Sequence, residues 1–367
     1  MKILFYSPFN LRSRDTESLM LAFKKQGHTV ASLTQGTGDV IHTYLRDKGI
    51  KTYSNFLPGK QNAWYYFRQI IFLIKFCKQH RIAVVYSHLE SANFVASIAQ
   101  HFIRAKVYIC RHHIDEAALY SFDKSLAYKI TYRFAKKIIV VSDQAKSYMI
   151  AHEKIKPQKI LHINLAYDFS LYQQPDATAV SLIRSRTSSS IILLTVCRLT
   201  IHKRPQLAVH TLDKLLKKGI DAQLILLGSG EEEKNLKNLI AELNLVDNVT
   251  MPGYVSNVPD YLAAADFLVH PSVLESSCVI VKESGLVNTP VIVCKGIGDF
   301  DSYLQQGVNG FLVDRGIFAD EAADLIENNF SNTLFLEEIG ASLHKAILNN
   351  FEINRILPAY DKLNSIE

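Results

Sequence analysis

Residues 190–227 read SIILLTVCRLTIHKRPQLAVHTLDKLLKKGIDAQLILL. The run Ser190 to Cys197 is apolar without alternation, as expected of a parallel strand covered on both faces. Arg198 to Pro205 is a basic loop, Gln206 to Lys218 carries apolar residues at helical spacing, and Ala222 to Leu227 is a second continuous apolar run. Strand, helix and strand in that order make a βαβ unit, which commits this part of the chain to a parallel sheet.

The same cycle continues in both directions. Downstream, strands are expected at Val249 to Met251, Asp266 to His270, Pro290 to Cys294 and Gly310 to Val313. Upstream, they are expected at Ile3 to Tyr6, Thr29 to Leu33, Ala83 to Tyr86, Lys106 to Cys110, Lys137 to Val141 and Lys159 to Ile163, with helices between them. The polar, Ser-rich stretch Gln173 to Ser189 interrupts the cycle. The reading is α/β, with two doubly wound, Rossmann-like domains facing across a cleft. Residues 1–172 form the first and 190–349 the second, with 173–189 as linker and 350–367 as a C-terminal helix able to pack back on the first domain.

Charge divides at the same place. Residues 1–175 hold 25 Lys and Arg against 11 Asp and Glu, a net +14, whereas residues 176–367 carry a net −8. A half so basic seeks a polyanion: nucleic acid, an anionic membrane face or a phosphorylated substrate. At 48% hydrophobic and 21% charged residues the 367-residue chain is an ordinary globular protein, which excludes disordered and fibrous classes. Five scattered cysteines, Cys77, Cys110, Cys197, Cys278 and Cys294, offer neither a disulfide framework nor a CxxC metal site, and read as buried thiols of a cytoplasmic protein. No apolar run approaches the length of a membrane span, so any membrane association is peripheral.

Two constellations carry chemistry. Arg198 and Lys203 share the loop at the carboxyl end of strand 190–197, where two cations can match a diphosphate; an isolated basic loop would be only a solvated surface. Residues 270–283, HPSVLESSCVIVKE, run from a strand end into a helix expected to start near Ser276 and Ser277. Free N–H groups of residues such as Ser277, Cys278 and Val279 at such a start suit a phosphate. Glu275 stands at the helix mouth and Glu283 two turns in, placed to meet sugar hydroxyls and a ribose; alone, two such acids would be ordinary surface residues.

Taken together these residues resemble the GT-B glycosyltransferases, specifically the retaining nucleotide-sugar enzymes of glycosyltransferase family 4. The family's Gly-Arg-Leu-x4-Lys loop is similar to Cys197-Arg198-Leu199 with Lys203, its Glu-x7-Glu signature to Glu275 through Glu283, its Pro-Val to Pro290-Val291, and its Asn-Gly-Phe-Leu-Val to Asn309–Val313. The resemblance implies a retaining, metal-independent transferase with a UDP- or GDP-sugar as substrate and no further cofactor. Arg198 and Lys203 would hold the diphosphate, Glu275 the donor sugar, Glu283 the ribose, and Tyr254 and Val255 would frame the base. His112, with His113 as the alternative, would contact the transferred sugar from the first domain. The implied acceptor is a glycan or a polyprenyl- or other lipid-linked sugar in bacterial cell-surface polysaccharide synthesis, on lipopolysaccharide, O-antigen, capsule or exopolysaccharide. A UDP-sugar 2-epimerase on the same fold and a non-catalytic glycan- or membrane-binding subunit are the rival readings.

The departures are specific. The family's Gly-Gly turn after the first strand is here Asn10 to Asp15, leaving Arg12 or Arg14 for phosphate contacts, and its Gly-Phe-Gly is Ser276-Ser277-Cys278. Leu165-Ala166, where many members have Asn-Gly, reads as an interdomain contact. Asp299-Phe300-Asp301 spells the DxD of metal-dependent GT-A enzymes, but its place after Gly296-Ile297-Gly298 reads as acids opening a helix; a sugar-hydroxyl contact near Gly298 and Asp299 is the other reading. Gly228-Ser229-Gly230 opens a helix but lacks the third glycine of a dinucleotide fingerprint. Residues 60–81, KQNAWYYFRQIIFLIKFCKQHR, have the make-up of a helix that lies on an anionic bilayer and equally of a core helix with a basic edge. Tyr128 to Lys137 is a second basic-aromatic stretch. No nucleic-acid-binding signature accompanies the charge, so nucleic acid is not expected as a partner.

Overall fold

The structure, a computed structural model, describes residues 1–37, 40–114, 129–187 and 189–365. The chain divides into two compact units, Met1–Ser170 with Phe351–Glu367, and Leu171–Asn350.

In the first unit, strands β1 (Lys2–Ser7), β2 (Thr29–Thr34), β3 (Lys51–Ser54), β4 (Val84–His88), β5 (Lys106–Arg111), β6 (Lys137–Val140) and β7 (Ile160–His162) alternate with helices α1 (Arg14–Lys25), α2 (Val40–Asp47), α3 (Ala63–His80), α4 (Glu90–Ala99) and α5 (Asp143–Ala151). Among the described residues the sheet has seven strands, all parallel, in the order β3-β2-β1-β4-β5-β6-β7. Alternate residues of β1 enter different cores: Leu4 and Tyr6 pack under α3 and α4, Ile3 and Phe5 against α1. Helices on both faces make both sets of side chains interior, which is why these strands read as unbroken apolar runs. The edge strand β3, KTYS, escapes sequence reading because it is short, half-exposed and polar.

The second unit holds α6 (Ala177–Ser185), β8 (Ile191–Val196), α7 (Gln206–Lys217), β9 (Ala222–Leu227), α8 (Glu233–Glu242), β10 (Val249–Gly253), α9 (Val258–Ala264), β11 (Phe267–His270), α10 (Val279–Leu286), β12 (Val291–Cys294), α11 (Phe300–Tyr303), β13 (Phe311–Val313), α12 (Phe318–Asn329) and α13 (Thr333–Phe351). Its described strands form a parallel sheet ordered β10-β9-β8-β11-β12-β13. In each sheet the strand order reverses beside one central pair, β1 and β4 in the first, β8 and β11 in the second. The carboxyl ends of such a pair are where open α/β sheets bind ligands.

One expectation needs correction. Residues 173–189 are not a free linker: Asp176 caps α6 by accepting from Ala179 N at 2.8 Å, and Asp260 of α9 accepts from Asp176 N at 2.8 Å, so this segment belongs to the second unit. Ala166, of the Leu165-Ala166 pair, is buried in the first unit's core beside Ile163 and Ile353. There Tyr167 exchanges backbone hydrogen bonds with the returning chain, to Phe351 O and from Ile353 N, both at 2.8 Å. The last helix, α14 (Ile353–Ser365), then packs on the first unit. Tyr360 lies edge-on to Phe23, and the Tyr86 and Tyr108 hydroxyls donate to Asn364 Oδ1 and Leu363 O at 2.8 Å each. All five cysteines are free thiols. Among the described residues no helix is long and apolar enough to cross a membrane.

Candidate active site

Three backbone arrangements build the site in the second unit. The loop after β8 is braced by the glycine turn after β9, with Leu199 N donating to Ser229 O at 3.0 Å. Gly228 has φ +121°, and a Cβ there would stand 1.9 Å from Cys197 O, so only glycine permits this approach. The loop after β11 is sewn to the first one by Val273 N, which donates to His202 O at 3.0 Å. Arg204 reinforces the seam, donating to Pro271 O at 3.1 Å and Arg315 O at 2.9 Å. The third piece is Gly298, with φ +61°, whose backbone lies against Glu275; a Cβ there would be 3.0 Å from Glu275 Cβ.

These seams bring Lys203 and Glu275 together. Glu275 Oε1 accepts from Lys203 Nζ and pairs with His270 Nε2 at 2.7 Å, and Cys278 Sγ lies 3.4 Å from the same nitrogen. The Glu275 side chain is only 9% exposed. Burial alone would raise its pKa, but His270 and Lys203 outweigh burial and hold it down at about 2. Burial likewise opposes the His270 imidazolium, yet Cys278 and Glu275 raise its pKa to about 9. Lys203 is raised too, its desolvation overcome by Glu275. Near neutral pH the cluster is therefore a buried carboxylate between two cations. Arg198, exposed on the adjoining loop with no side-chain partner among the described residues, adds a third cation.

His270, Glu275 and Cys278 also have the donor types of a metal site, their ligating atoms all within 4.8 Å of one another. Glu275 is already paired with Lys203, so the carboxylate's charge is met within the protein.

The expected helix start is displaced. Helix α10 begins at Val279 with Cys278 as its N-cap, not at Ser276 or Ser277. Ser277 instead donates to Asp299 Oδ2 at 2.6 Å, and the same oxygen accepts from Lys282 Nζ at 2.9 Å. Lys282 and Asp299, 1% and 2% exposed, form a buried ion pair that joins α10 to the loop after β12. Asp301, the second acid of the DxD stretch, accepts from Gly296 N at 2.7 Å. Of the remaining candidates, Val279 is exposed at the helix start, Glu283 is half-buried one face along α10, Val255 is half-buried, and Tyr254 is 85% exposed beyond β10.

In the first unit, the carboxyl ends of β1 and β4 border a cavity of about 230 Å³ lined by Tyr6, Phe9, Leu11, Met20, His88 and His112 among others. His112 Nε2 is 2.9 Å from His88 Nδ1. His113 does not line this cavity; its carbonyl accepts from Arg111 Nε at 2.8 Å. Fully buried Arg111 also pairs with Glu153 at 2.7 Å, fixing the segment that carries both histidines. Arg12 donates to both carboxylate oxygens of Glu17 through Nε and Nη2 and stacks on Tyr44, 3.7 Å from the ring centroid. Its charge is thus already matched, while Arg14 is exposed at the start of α1. His270, Arg111 and Lys282 were not foreseen as functional or supporting residues, and Asp299, read above as a helix-opening acid or a sugar-hydroxyl contact, was not foreseen as the partner of Lys282. The one available signal was a histidine closing an apolar strand five residues before Glu275.

With the geometry in view, comparison with known proteins is direct. The sequence model of the glycosyl transferases group 1 matches residues 183–342, and that of glycosyltransferase family 4 matches residues 13–170. The N-acetyl-alpha-D-glucosaminyl L-malate synthase of Bacillus anthracis is 25% identical over 266 residues, 71% of this chain and 68% of that protein. The Escherichia coli UDP-Gal:alpha-D-GlcNAc-diphosphoundecaprenol alpha-1,3-galactosyltransferase is 23% identical over 67% of this chain and 66% of its own length. Anabaena Alr3699/HepE, solved in complex with UDP, shares the fold over the whole of both chains at a TM-score of 0.83 and 21% identity. Matched along both units, the chain belongs to the group 1 glycosyltransferases, the family 4 type with the GT-B fold.

Proposed function

We propose that this protein is a retaining, metal-independent glycosyltransferase that moves a sugar from a UDP- or GDP-sugar to a glycan or lipid-linked acceptor in cell-surface polysaccharide synthesis. The observation that carries the reading is the Lys203–Glu275–His270 cluster beside Arg198 at the carboxyl ends of β8 and β11. Arg198, Lys203 and His270 against Glu275 leave two net positive charges where a leaving nucleoside diphosphate gathers negative charge. Preorganised charge of this kind stabilises a transition state without reorganisation. Lys203 and Arg198 bind the diphosphate, helped by the free N–H groups from Ser277 to Val279. Glu275, ionised and held by two partners, accepts hydrogen bonds from donor-sugar hydroxyls; Glu283 takes the ribose, and Tyr254 and Val255 flank the base. His112 contacts the transferred sugar.

Support for the donor class comes from Anabaena Alr3699/HepE, which was crystallised with UDP and with UDP-glucose. Support for a lipid-linked acceptor comes from the diphosphoundecaprenol named for the E. coli relative. Helix α3 adds to it. Trp64 and Phe67 stack at 5.4 Å on its exposed face, in line with Ile71, Arg68, Lys75 and Lys78, so the apolar residues share the solvent side with the basic ones. Such a face suits an anionic bilayer and gives the enzyme a peripheral place on the inner side of the membrane. Of the second basic-aromatic stretch, Tyr128 lies outside the described residues.

The test is nucleotide release and product formation with a panel of UDP- and GDP-sugars, with EDTA present. Lys203→Ala and Glu275→Ala should each lower turnover at least about 100-fold, roughly 2.7 kcal/mol of transition-state stabilisation, while circular dichroism stays native. Product anomers read by NMR should match the donor. Near-normal turnover in both variants would sink the assignment.

A further inference from the structure

His112 has a partner that the family resemblance did not assign. His88 closes β4, its ring parallel to Phe5 at 5.8 Å between centroids, and its Nδ1 stands 2.9 Å from His112 Nε2. The other nitrogen of His88, Nε2, is buried with no hydrogen-bond partner. We propose that His88 is a positioning residue that fixes His112 as a neutral Nδ1–H donor, and so makes His112 a hydrogen-bond donor to substrate oxygen rather than a proton acceptor.

A neutral imidazole carries one N–H. If the His88 proton sat on Nε2, an N–H would be buried with nothing to receive it, the costlier of the two orphan states. The proton therefore sits on Nδ1 and is donated to His112 Nε2. That nitrogen is then an occupied acceptor, and the His112 proton must be on Nδ1, because the bond at one ring nitrogen sets the state of the other. Both rings stay neutral. Burial lowers the pKa of each, the His88 value to about 3, and two imidazolium ions 2.9 Å apart would repel; the charge of Asp15 acts the other way and is outweighed. With Nε2 engaged and Nδ1 protonated, His112 has no free lone pair for general-base work. It can donate to a sugar hydroxyl or to an oxygen gaining negative charge.

This inference rests on the transferase reading for its substrate, but its first test does not. In the full chain with 15N-labelled histidine, long-range 1H–15N spectra should show His88 and His112 both as Nδ1–H tautomers, assigned by the signals lost in His88→Asn and His112→Asn. An Nε2–H tautomer for His112 would overturn the proposal. In transfer assays His88→Leu, which has no donor, should lower kcat about tenfold with donor KM within about threefold, and should spread the His112 signals over both tautomers. His88→Asn, with an N–H near the Nδ1 position, should restore most of the rate. Wild-type kcat and unmoved His112 signals in His88→Leu would refute it even if the tautomers are as stated. The predicted tautomers in a protein that transfers no sugar from any donor would overturn the transferase reading and leave the tautomer assignment standing.

Discussion

The buried Lys282–Asp299 pair gives the sharpest stability test of the second unit. At 2.9 Å and an effective dielectric constant of about 20 the direct attraction is about 6 kcal/mol, and desolvating two ions nearly fully removed from water costs several kcal/mol each, so the intact pair contributes little net stability. Removing one partner is different. Lys282→Met keeps the apolar stem but leaves Asp299 buried, with Oδ1 already lacking a partner and Oδ2 reduced to the Ser277 hydroxyl. That uncompensated charge should cost about 3 to 5 kcal/mol, which in a unit of this size lowers Tm by roughly 10 °C. Adding Asp299→Asn should recover most of the loss, because the charge is removed with its partner. Calorimetry on the full chain with both single variants and the double variant closes the cycle. A cost below about 1 kcal/mol for Lys282→Met, or a double variant as unstable as the two losses combined, would refute the reasoning.

Two further outcomes follow from the cluster and the basic helix. His270 is held at about 9, above its ordinary 6.5, so the stability it contributes is fully present below pH 6.5 and is lost as pH rises through 9; Glu275, held at about 2, contributes above its ordinary value near 4.5 and loses that contribution as pH falls through 2. Urea denaturation of the wild type should therefore weaken between pH 6.5 and 9.5 more steeply than that of His270→Gln, and equal slopes would count against the imidazolium. On α3 and its C-cap, replacing Lys75, Lys78 and Arg81 by Gln should lower partition onto anionic vesicles about a hundredfold, at about 1 kcal/mol for each charge, and leave nucleotide-sugar affinity unchanged. Sedimentation with the vesicles reads the first, calorimetric titration the second.

What the sequence disclosed and what it concealed divide on a physical line. Five of the six described strands of the second sheet, β8, β9, β11, β12 and β13, are mainly apolar and buried, and a strand covered on both faces must be written that way, so each was visible; the part-exposed edge strand β10, VTMPG, was legible only over Val249 to Met251. The polar edge strand β3 and helix α6 were not. The first needs no apolar run because one side is solvent. The second sits in a Ser-rich stretch whose helicity is owed to the Asp176 cap and to packing on α9. Arg198, Lys203, Glu275 and Glu283 could be singled out from motif spacing alone. Their supports were not. Lys203 and Glu275 are 72 residues apart in sequence, and Lys282 and Asp299 come from different elements. The displaced start of α10 has the same cause: Ser277 looked like a cap by composition, but Asp299 offered its hydroxyl a charged acceptor, and a hydrogen bond to a charged group is the stronger of the two.

Net charge alone would disfavour an anionic donor, since the proposed diphosphate site lies in the half with net charge −8. The structure removes the conflict by showing where the acids are. Asp213, Asp320, Asp324 and Glu327 pair with Lys217, Lys214 and Lys218 along α7 and α12, and Glu233 pairs with Lys237 on α8, at positions that, half-buried Asp213 apart, are largely open to solvent. Charges at such positions are screened by salt within about 10 Å. The field at the carboxyl end of β8 is set instead by what is buried or adjacent there: Lys203, His270 and Arg198 against the single carboxylate of Glu275. A unit can be acidic as a whole and cationic at its ligand site, because in a site partly closed to water the nearest few charges outweigh the many that face solvent.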